Sequence, residues 1–133
     1  MSNRTKVAYL SELATSDNAL FVALQETHLS SDISSAEVQM EGFTLHRSDR
    51  EGGRTHGGVA LYIRDHLTTR ELLKYSNNCV ESQVIEVPEL ELVLVNIYRP
   101  PNSPKQLFLE TLDKCQEALD SQARSRSIIM TGD

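Results

Sequence analysis

The sequence predicts one layered domain of the α/β (α+β) class, in which helices cover the faces of β-sheets. Three observations lead to this prediction. The chain has 133 residues, which is enough for one domain. Its composition, with 39% hydrophobic and 24% charged residues, is typical of a globular protein and not of a disordered one. Segments with the helical period also alternate along the chain with β-rich apolar runs.

The first half of the chain predicts one helix followed by several strands. Residues 4–15 predict a helix, because their apolar side chains recur on one helical face. Residues 20–25 form an apolar run that predicts a buried strand. Strands are also predicted at 43–47 and 57–63, and the adjacent glycines within 51–54 predict a turn between them.

The second half predicts three strands and a second helix. Residues 80–87 predict a strand that ends at Pro88, and residues 92–98 and 128–130 are strongly β-forming.

The predicted helix between the last two strands starts at Ser103-Pro104, with Ser103 as the N-cap, Pro104 in the first turn and Gln106 closing a capping box. An apolar stripe continues this helix to about Gln122. Its members are Phe108, Leu112, Cys115 and Leu119.

Composition also limits the function classes. The net charge of -6 argues against a protein that coats nucleic acid generally, although it allows an enzyme with a local basic patch. The two cysteines, Cys79 and Cys115, are too few for a disulfide framework, and a reducing intracellular environment is expected. The longest apolar run, 19–24, is far too short for a membrane helix, and no association with a membrane is expected.

Three apolar strands run directly into polar residues that are capable of chemistry. These residues are Glu26, Tyr98 and Asp133. If the three strands are neighbours that run in the same direction, the three side chains converge, and paired carboxylates suit a hard divalent cation such as Mg²⁺. On spacing alone, the simpler interpretation is that each residue caps a strand at the surface.

Four segments, taken together, resemble a known family. They are 23–29 (Ala-Leu-Gln-Glu-Thr-His-Leu), 57–63 (Gly-Gly-Val-Ala-Leu-Tyr-Ile), 95–102 (Val-Asn-Ile-Tyr-Arg-Pro-Pro-Asn) and 128–133 (Ile-Ile-Met-Thr-Gly-Asp). In this order they resemble motifs of the endonuclease/exonuclease/phosphatase superfamily, and they are most similar to the endonuclease domains of LINE-type (non-LTR) retrotransposons. The resemblance implies a partial four-layer α/β sandwich, with two sheets flanked by helices.

The resemblance also implies a reaction and roles for residues. It implies an endonuclease that nicks DNA with Mg²⁺ (or Mn²⁺), in which Glu26, Tyr98 and Asp133 are catalytic. Glu26 would be the metal ligand, Tyr98 would contact the phosphate, and Asp133 would orient or deprotonate the attacking water. No small-molecule cofactor is expected.

Basic and polar residues near the glycine turn and after the strand at 92–98 are candidates for contacts with the nucleic-acid backbone. They are Arg47, Arg50, Arg54 and Asn102, and Arg64 is a further arginine in this region. Arginine binds phosphate oxygens with a forked geometry. A solvated loop and strand edge is an equally good interpretation of each arginine taken singly.

The resemblance covers residues 1–133 as a partial domain, whose first strand and C-terminal part are expected to be missing. Such a fragment alone is expected to be inactive or nearly so and poorly stable, and a longer parent protein could carry a fused reverse transcriptase. Acting on chromosomal DNA would imply a nuclear location. Two alternatives remain open: a catalytically dead truncated copy, and a phosphatase of the same superfamily.

Overall fold

A computed structural model describes residues 2–50, 56–77, 79–125 and 127–133. Within these ranges the helices are α1 (Asn3–Ser16) and α2 (Lys105–Gln122), and short 3₁₀ helices lie at Ser35–Val38 and Pro88–Leu90. The strands are β1 (Phe21–Gln25), β2 (Phe43–Ser48), β3 (Val59–Arg64), β4 (Arg70–Ser76), β5 (Glu81–Val87), β6 (Leu92–Tyr98) and β7 (Ser127–Gly132). Neither α1 nor α2 is long and apolar enough to cross a membrane.

The strands form two sheets. The first has the order β1-β3-β2 with antiparallel pairing, and the second has the order β4-β5-β6-β7. In the second sheet only β6 and β7 are parallel among the described strands. The register pairs Gln25 and Ser48 with Val59 in the first sheet, and Glu81 with Tyr98 in the second.

Three apolar clusters separate four layers. On the outer face of the first sheet, α1 packs through Ala14 against Phe43 and Tyr62. The second cluster lies between the sheets and contains Leu61, Ile63, Ile85, Val87 and Leu94. The third lies between the second sheet and α2 and contains Val84, Val93, Val95, Cys115 and Ala118. This arrangement confirms the expected fold, in which two sheets are flanked by helices.

One strand is absent from the sequence predictions. β4 pairs with β5, but only Leu72 of its seven residues is buried. An irregularity in the pairing between Glu71 and Leu73 also interrupts the period-two alternation. A weakly buried strand with a bulge lacks the alternating pattern that identifies a strand in a sequence. The predicted turn at 51–54 lies outside the described residues.

The capping prediction for α2 is wrong. The helix begins at Lys105, its N-cap residue is Pro104, and no side chain makes the cap hydrogen bond. The Ser103 hydroxyl instead donates to the Pro100 carbonyl oxygen at 2.8 Å and accepts from Arg99 Nε at 3.1 Å. The hydroxyl therefore closes the loop between β6 and α2, where it is unable to reach the helix amides.

The strand β7 is the most exposed strand of the second sheet. Ile128, Ile129 and Met130 are 49%, 43% and 58% exposed, although all three are apolar. By contrast, all seven residues of β5 are buried. The apolar side chains of this strand are therefore partly open to solvent, and the low stability expected for the chain remains a prediction.

Candidate active site

The site lies at the end of the sandwich where β1, β6 and β7 finish. β6 and β7 are parallel neighbours, as expected, but β1 belongs to the other sheet. The condition that all three strands are neighbours in one sheet therefore holds for β6 and β7 and fails for β1. Its last residue, Gln25, faces β6 across the interior and donates from Nε2 to Asn96 Oδ1 at 2.7 Å. The convergence at this end comes from two facing sheets.

A network of amide side chains joins the two sheets beneath the site. Asn96 Nδ2 donates to Gln83 Oε1 at 3.0 Å and to the Ala60 carbonyl oxygen at 3.1 Å. Gln83 Nε2 in turn donates to the His46 carbonyl oxygen at 3.2 Å. Asn96 and Gln83 are fully buried. Because a buried network whose members are paired resists deformation, it fixes the separation of the sheets under the site.

The backbone that carries Glu26 is held by two glycines. Glu26 has a φ of 54°, in the left-handed region. The next two amides are bonded, from Thr27 N to the Gly58 carbonyl oxygen at 3.2 Å and from His28 N to that of Gly57 at 2.8 Å. The Glu26 side chain is 52% exposed, and its Oε1 lies 3.3 Å from His28 Nε2. The carboxylate is thus presented to solvent from an ordered turn.

The positions of Gly57 and Gly58 exclude other residues. Their φ angles are +77° and +92°, which residues other than glycine rarely adopt. A Cβ on Gly57 would meet Glu81 Oε1 at 2.5 Å, and one on Gly58 would meet Thr27 Oγ1 at 2.6 Å. The two glycines that precede β3 therefore also allow the turn after β1 to approach their backbone closely.

The hydroxyl of Tyr98 lies among charged groups. Burial raises the pKa of Tyr98 above its usual value, and the nearby Glu26 and Asp133 carboxylates raise this pKa further, while Arg50 opposes them. A phenol with a raised pKa is neutral at pH 7 and able to donate a hydrogen bond. Glu26 and Asp133 thus both lie close enough to Tyr98 to act on its hydroxyl.

Asp133 is anchored through its backbone. Its amide donates to the Ile97 carbonyl oxygen at 3.2 Å, and its own carbonyl oxygen accepts from Arg99 N at 2.8 Å. These bonds continue the parallel pairing of β6 and β7 past Gly132. The residue itself is exposed, so its carboxylate is accessible at the same end as Glu26.

One residue of the site, Glu81, was missed from sequence. It is fully buried, and its Oε1 accepts from Gly58 N at 2.6 Å. Its Oε2 accepts from Arg50 Nε at 3.0 Å, and Arg50 Nη2 donates to the Cys79 carbonyl oxygen at 2.7 Å. The available signal was the spacing of Glu81 and Gln83, which are two residues apart on β5 and therefore lie on one face, although polar Ser82 between them obscures the alternation.

The residues predicted to contact a nucleic-acid backbone differ in their surroundings. Arg47 donates to the Asp49 carboxylate and to two loop carbonyl oxygens, so its guanidinium has partners within the fold. Arg50 is engaged by Glu81. Arg54 lies outside the described residues. Asn102 is exposed in the loop that follows Tyr98, and it is thus accessible from solvent near the site. Contacts of these residues with nucleic acid remain predictions.

The donor set suits a hard cation only as a partial site. Among the residues that the structure describes, no three His, Cys, Asp or Glu side chains are grouped closely enough to hold a metal ion. Glu26 and Asp133 nevertheless offer exposed carboxylate oxygens at one end of the sandwich. Mg²⁺ commonly binds through one or two carboxylates and keeps several waters. The residues present therefore fit such an ion.

Comparisons with solved structures show the same fold. The endonuclease domain of TRAS1, a telomere-specific non-LTR retrotransposon, has a TM-score of 0.63 and 19% identity over 96% of this chain and 52% of that one. An AP endonuclease from Archaeoglobus fulgidus has a TM-score of 0.63 and 17% identity over 99% and 53%. The human Nocturnin catalytic domain has a TM-score of 0.61 and 14% identity over 97% and 56%. The chain thus spans about half the length of these relatives.

A search of curated protein sequences gave no match. The model of the Endonuclease/Exonuclease/phosphatase family, however, matches residues 1–133. The match spans the whole chain and agrees with the two-sheet fold. The chain therefore belongs to the endonuclease/exonuclease/phosphatase family.

Proposed function

We propose that the chain is part of a metal-dependent phosphodiesterase that nicks DNA as an endonuclease. The observation that carries this proposal is that two exposed carboxylates at one end of the sandwich, Glu26 and Asp133, both lie close enough to the Tyr98 hydroxyl to raise its pKa. Hydrolysis of a phosphodiester needs stabilisation of the charge on the phosphate and an activated water. The three side chains provide groups suited to both requirements.

Glu26 is the proposed metal ligand. Enzymes of this superfamily generally use a divalent metal, and the Glu26 carboxylate is half exposed on a turn with bonded backbone amides. When bound, Mg²⁺ (or Mn²⁺) neutralises charge on the phosphate. The ordered turn keeps the carboxylate at the end of the sandwich, where a phosphate has access.

Tyr98 and Asp133 act on the substrate and on the water. Because burial and the neighbouring carboxylates raise its pKa, Tyr98 remains protonated and donates a hydrogen bond to a phosphate oxygen. Asp133 accepts a proton from the attacking water as the water oxygen bonds to phosphorus, the phosphorus–oxygen bond to one sugar breaks, and the leaving sugar oxygen takes a proton from solvent. Its backbone bonds to β6 keep this carboxylate on the same sheet as Tyr98.

DNA is the proposed substrate, and a non-LTR retrotransposon is the proposed origin. Two of the similar structures are described as a retrotransposon endonuclease domain and an AP endonuclease. The Tyr98-Arg99-Pro100-Pro101-Asn102 segment resembles the same retrotransposon group, and Asn102 is exposed beside the site. The proposal includes a longer parent protein with a reverse transcriptase, acting on chromosomal DNA in the nucleus.

The test is nicking of supercoiled plasmid by the longest reading frame that contains this chain, with Mg²⁺ and with EDTA. Glu26→Gln should lower the nicking rate by about 100-fold or more, because it removes the charged ligand. Glu110→Gln, an exposed glutamate on α2, is the matched control and should nick like the wild type.

Two outcomes would change the proposal. Nicking that persists in Glu26→Gln would remove Glu26 from the metal site. Hydrolysis of a phosphomonoester such as p-nitrophenyl phosphate, without plasmid nicking, would replace the endonuclease with a phosphatase.

A further inference from the structure

We propose that Glu81 is a positioning residue for this site: held by Arg50, its carboxylate fixes the Gly57–Gly58 backbone, which in turn orients Glu26. The inference rests on the proposed function, because it concerns the geometry of the proposed metal ligand. It assigns a role to an ion pair whose carboxylate is fully buried and which the proposed reaction does not otherwise use.

Glu81 itself is unsuited to bind a metal. Its Oε1 accepts from Gly58 N at 2.6 Å and from Arg50 Nη2 at 3.3 Å, and its Oε2 accepts from Arg50 Nε at 3.0 Å. Its side chain is 0% exposed. A cation at this carboxylate would have to displace the guanidinium and leave a buried arginine without its counter-charge. The carboxylate therefore acts on the protein and not on the substrate.

The connection from Glu81 to Glu26 consists of backbone hydrogen bonds. Gly58 N donates to Glu81 Oε1, and the Gly58 carbonyl oxygen accepts from Thr27 N at 3.2 Å. The adjacent Gly57 carbonyl oxygen accepts from His28 N at 2.8 Å. Glu26 immediately precedes these two bonded amides and has a left-handed φ of 54°. If Gly58 shifts, the turn that fixes the direction of the Glu26 side chain shifts with it.

Glu81 also lies beside Tyr98, the residue that β6 contributes to the site. Glu81 is paired with Tyr98 across the β5–β6 ladder. A carboxylate that bonds to the first sheet at Gly58 and lies opposite Tyr98 in the second sheet links the two sources of reactive groups. Its position therefore sets the spacing between Glu26 and Tyr98.

A matched control is present on the same strand. Glu86 is also buried, is also paired with an arginine, Arg70, and also accepts backbone amide bonds. Those amides belong to Arg124 and Ser125, in the connection between α2 and β7. Glu86→Gln therefore also removes a buried carboxylate that is paired with an arginine, and it does so away from the turn at Glu26.

The first measurement is amide hydrogen exchange of the chain, by NMR, in Glu81→Gln and Glu86→Gln. In Glu81→Gln, the Thr27 and His28 amides should exchange at least about 10-fold faster relative to the average of the β6 amides. In Glu86→Gln, the change should appear at Arg124 and Ser125. Equal protection of Thr27 and His28 in the two variants would overturn the proposal. If Glu81→Gln fails to fold, Arg50→Lys replaces it, because it keeps the charge but loses the forked contact.

The second measurement is Mg²⁺ binding by calorimetry and plasmid nicking in the longer reading frame. Glu81→Gln should weaken Mg²⁺ binding by about 10-fold or more and lower kcat with little change in the KM for DNA. Glu86→Gln should bind Mg²⁺ like the wild type at a temperature where both variants are folded, and equal Mg²⁺ affinities of the two variants would contradict the positioning role. A wild type that neither binds Mg²⁺ nor nicks would refute the proposed function, and the exchange measurement would then test separately whether Glu81 orders the turn.

Discussion

The strand β5 carries two buried glutamates that are both paired with arginines but bind the backbone of different segments. Glu81 and Glu86 are 0% and 1% exposed, and each is paired with an arginine. Since they are five residues apart, they lie on opposite faces of the sheet. Glu81 points between the two sheets at the end that carries the candidate site. Glu86 points towards the layer of α2, near the other end of the strand.

Glu86 fastens the connection that leads from α2 to β7. Its Oε2 accepts from Arg124 N at 2.9 Å and from Ser125 N at 2.6 Å, and Arg70 donates to its Oε1. Burial raises the pKa of Glu86, but the hydrogen bonds from Ser125, Arg70 and Arg124 outweigh burial and lower this pKa to about 2. The group is therefore a stabilising anion at neutral pH.

The comparison shows that the role of a buried carboxylate follows from the amides it accepts. The amide bonded to Glu81 belongs to the glycine pair under Glu26, whereas those bonded to Glu86 belong to the start of the segment that becomes β7. Glu81 serves the geometry of the site, whereas Glu86 fastens the connection between α2 and β7, at the opposite end of β7 from Asp133.

The largest expected difference concerns the two arginines. Arg50→Ala should lower the free energy of unfolding by about 3–5 kcal/mol, because it leaves the fully buried Glu81 without its counter-charge. Arg70→Ala should cost only about 1 kcal/mol, because Arg70 is 38% exposed and Glu86 keeps two backbone donors. Urea unfolding of both variants measures the difference. Equal losses would show that the two pairs are energetically equivalent.

Acidification should reduce the stabilisation that Glu86 gives to the folded chain. Because the folded pKa of Glu86 is about 2 and the ordinary value is 4.5, its stabilisation is complete above about pH 4.5. It is lost as the pH falls towards 2, by up to about 3 kcal/mol. Urea unfolding at pH 6 and pH 3 should therefore show a smaller difference between wild type and Glu86→Gln at pH 3. A difference that stays constant between the two pH values would contradict the assignment.

The backbone at Gly57 packs tightly against the Arg50–Glu81 pair. Gly57→Ala should cost about 2–3 kcal/mol, because the new Cβ meets both the Arg50 guanidinium and, at 2.5 Å, the Glu81 carboxylate, and because the φ is +77°. Gly42→Ala is the control: its φ is +84°, but its nearest neighbour is Arg64 Nη1 at 3.4 Å, so about 1 kcal/mol of strain is expected. Thermal unfolding of the two variants separates backbone strain from the contact with the Arg50–Glu81 pair.

Much of the fold was predictable because its signals are local. The apolar stripe of α2 and the runs that form β1, β3, β5, β6 and β7 identify these elements within a few residues. Two local features failed for physical reasons. β4 is weakly buried and carries a bulge, and the Ser103 hydroxyl bonds to the Pro100 carbonyl oxygen and not to a helix amide.

The sequence by itself determined which residues are candidates for the chemistry. Glu26, Tyr98 and Asp133 each follow an apolar strand, and the four motif segments indicate the family that the comparison with family models shows. Residue type and position relative to a strand are properties of short segments, so they can be identified in the chain before it folds.

Only the tertiary structure decided how these residues meet and what supports them. β1 reaches Tyr98 from the opposite sheet, and the partners of Glu81 are 23 and 31 residues away along the chain. Periodicity specifies which face of a strand is buried, but it carries no information about which distant amide or guanidinium will meet a buried carboxylate. That choice depends on the packing of the two sheets, which brings Gly58, Arg50 and Glu81 together at one end of the sandwich.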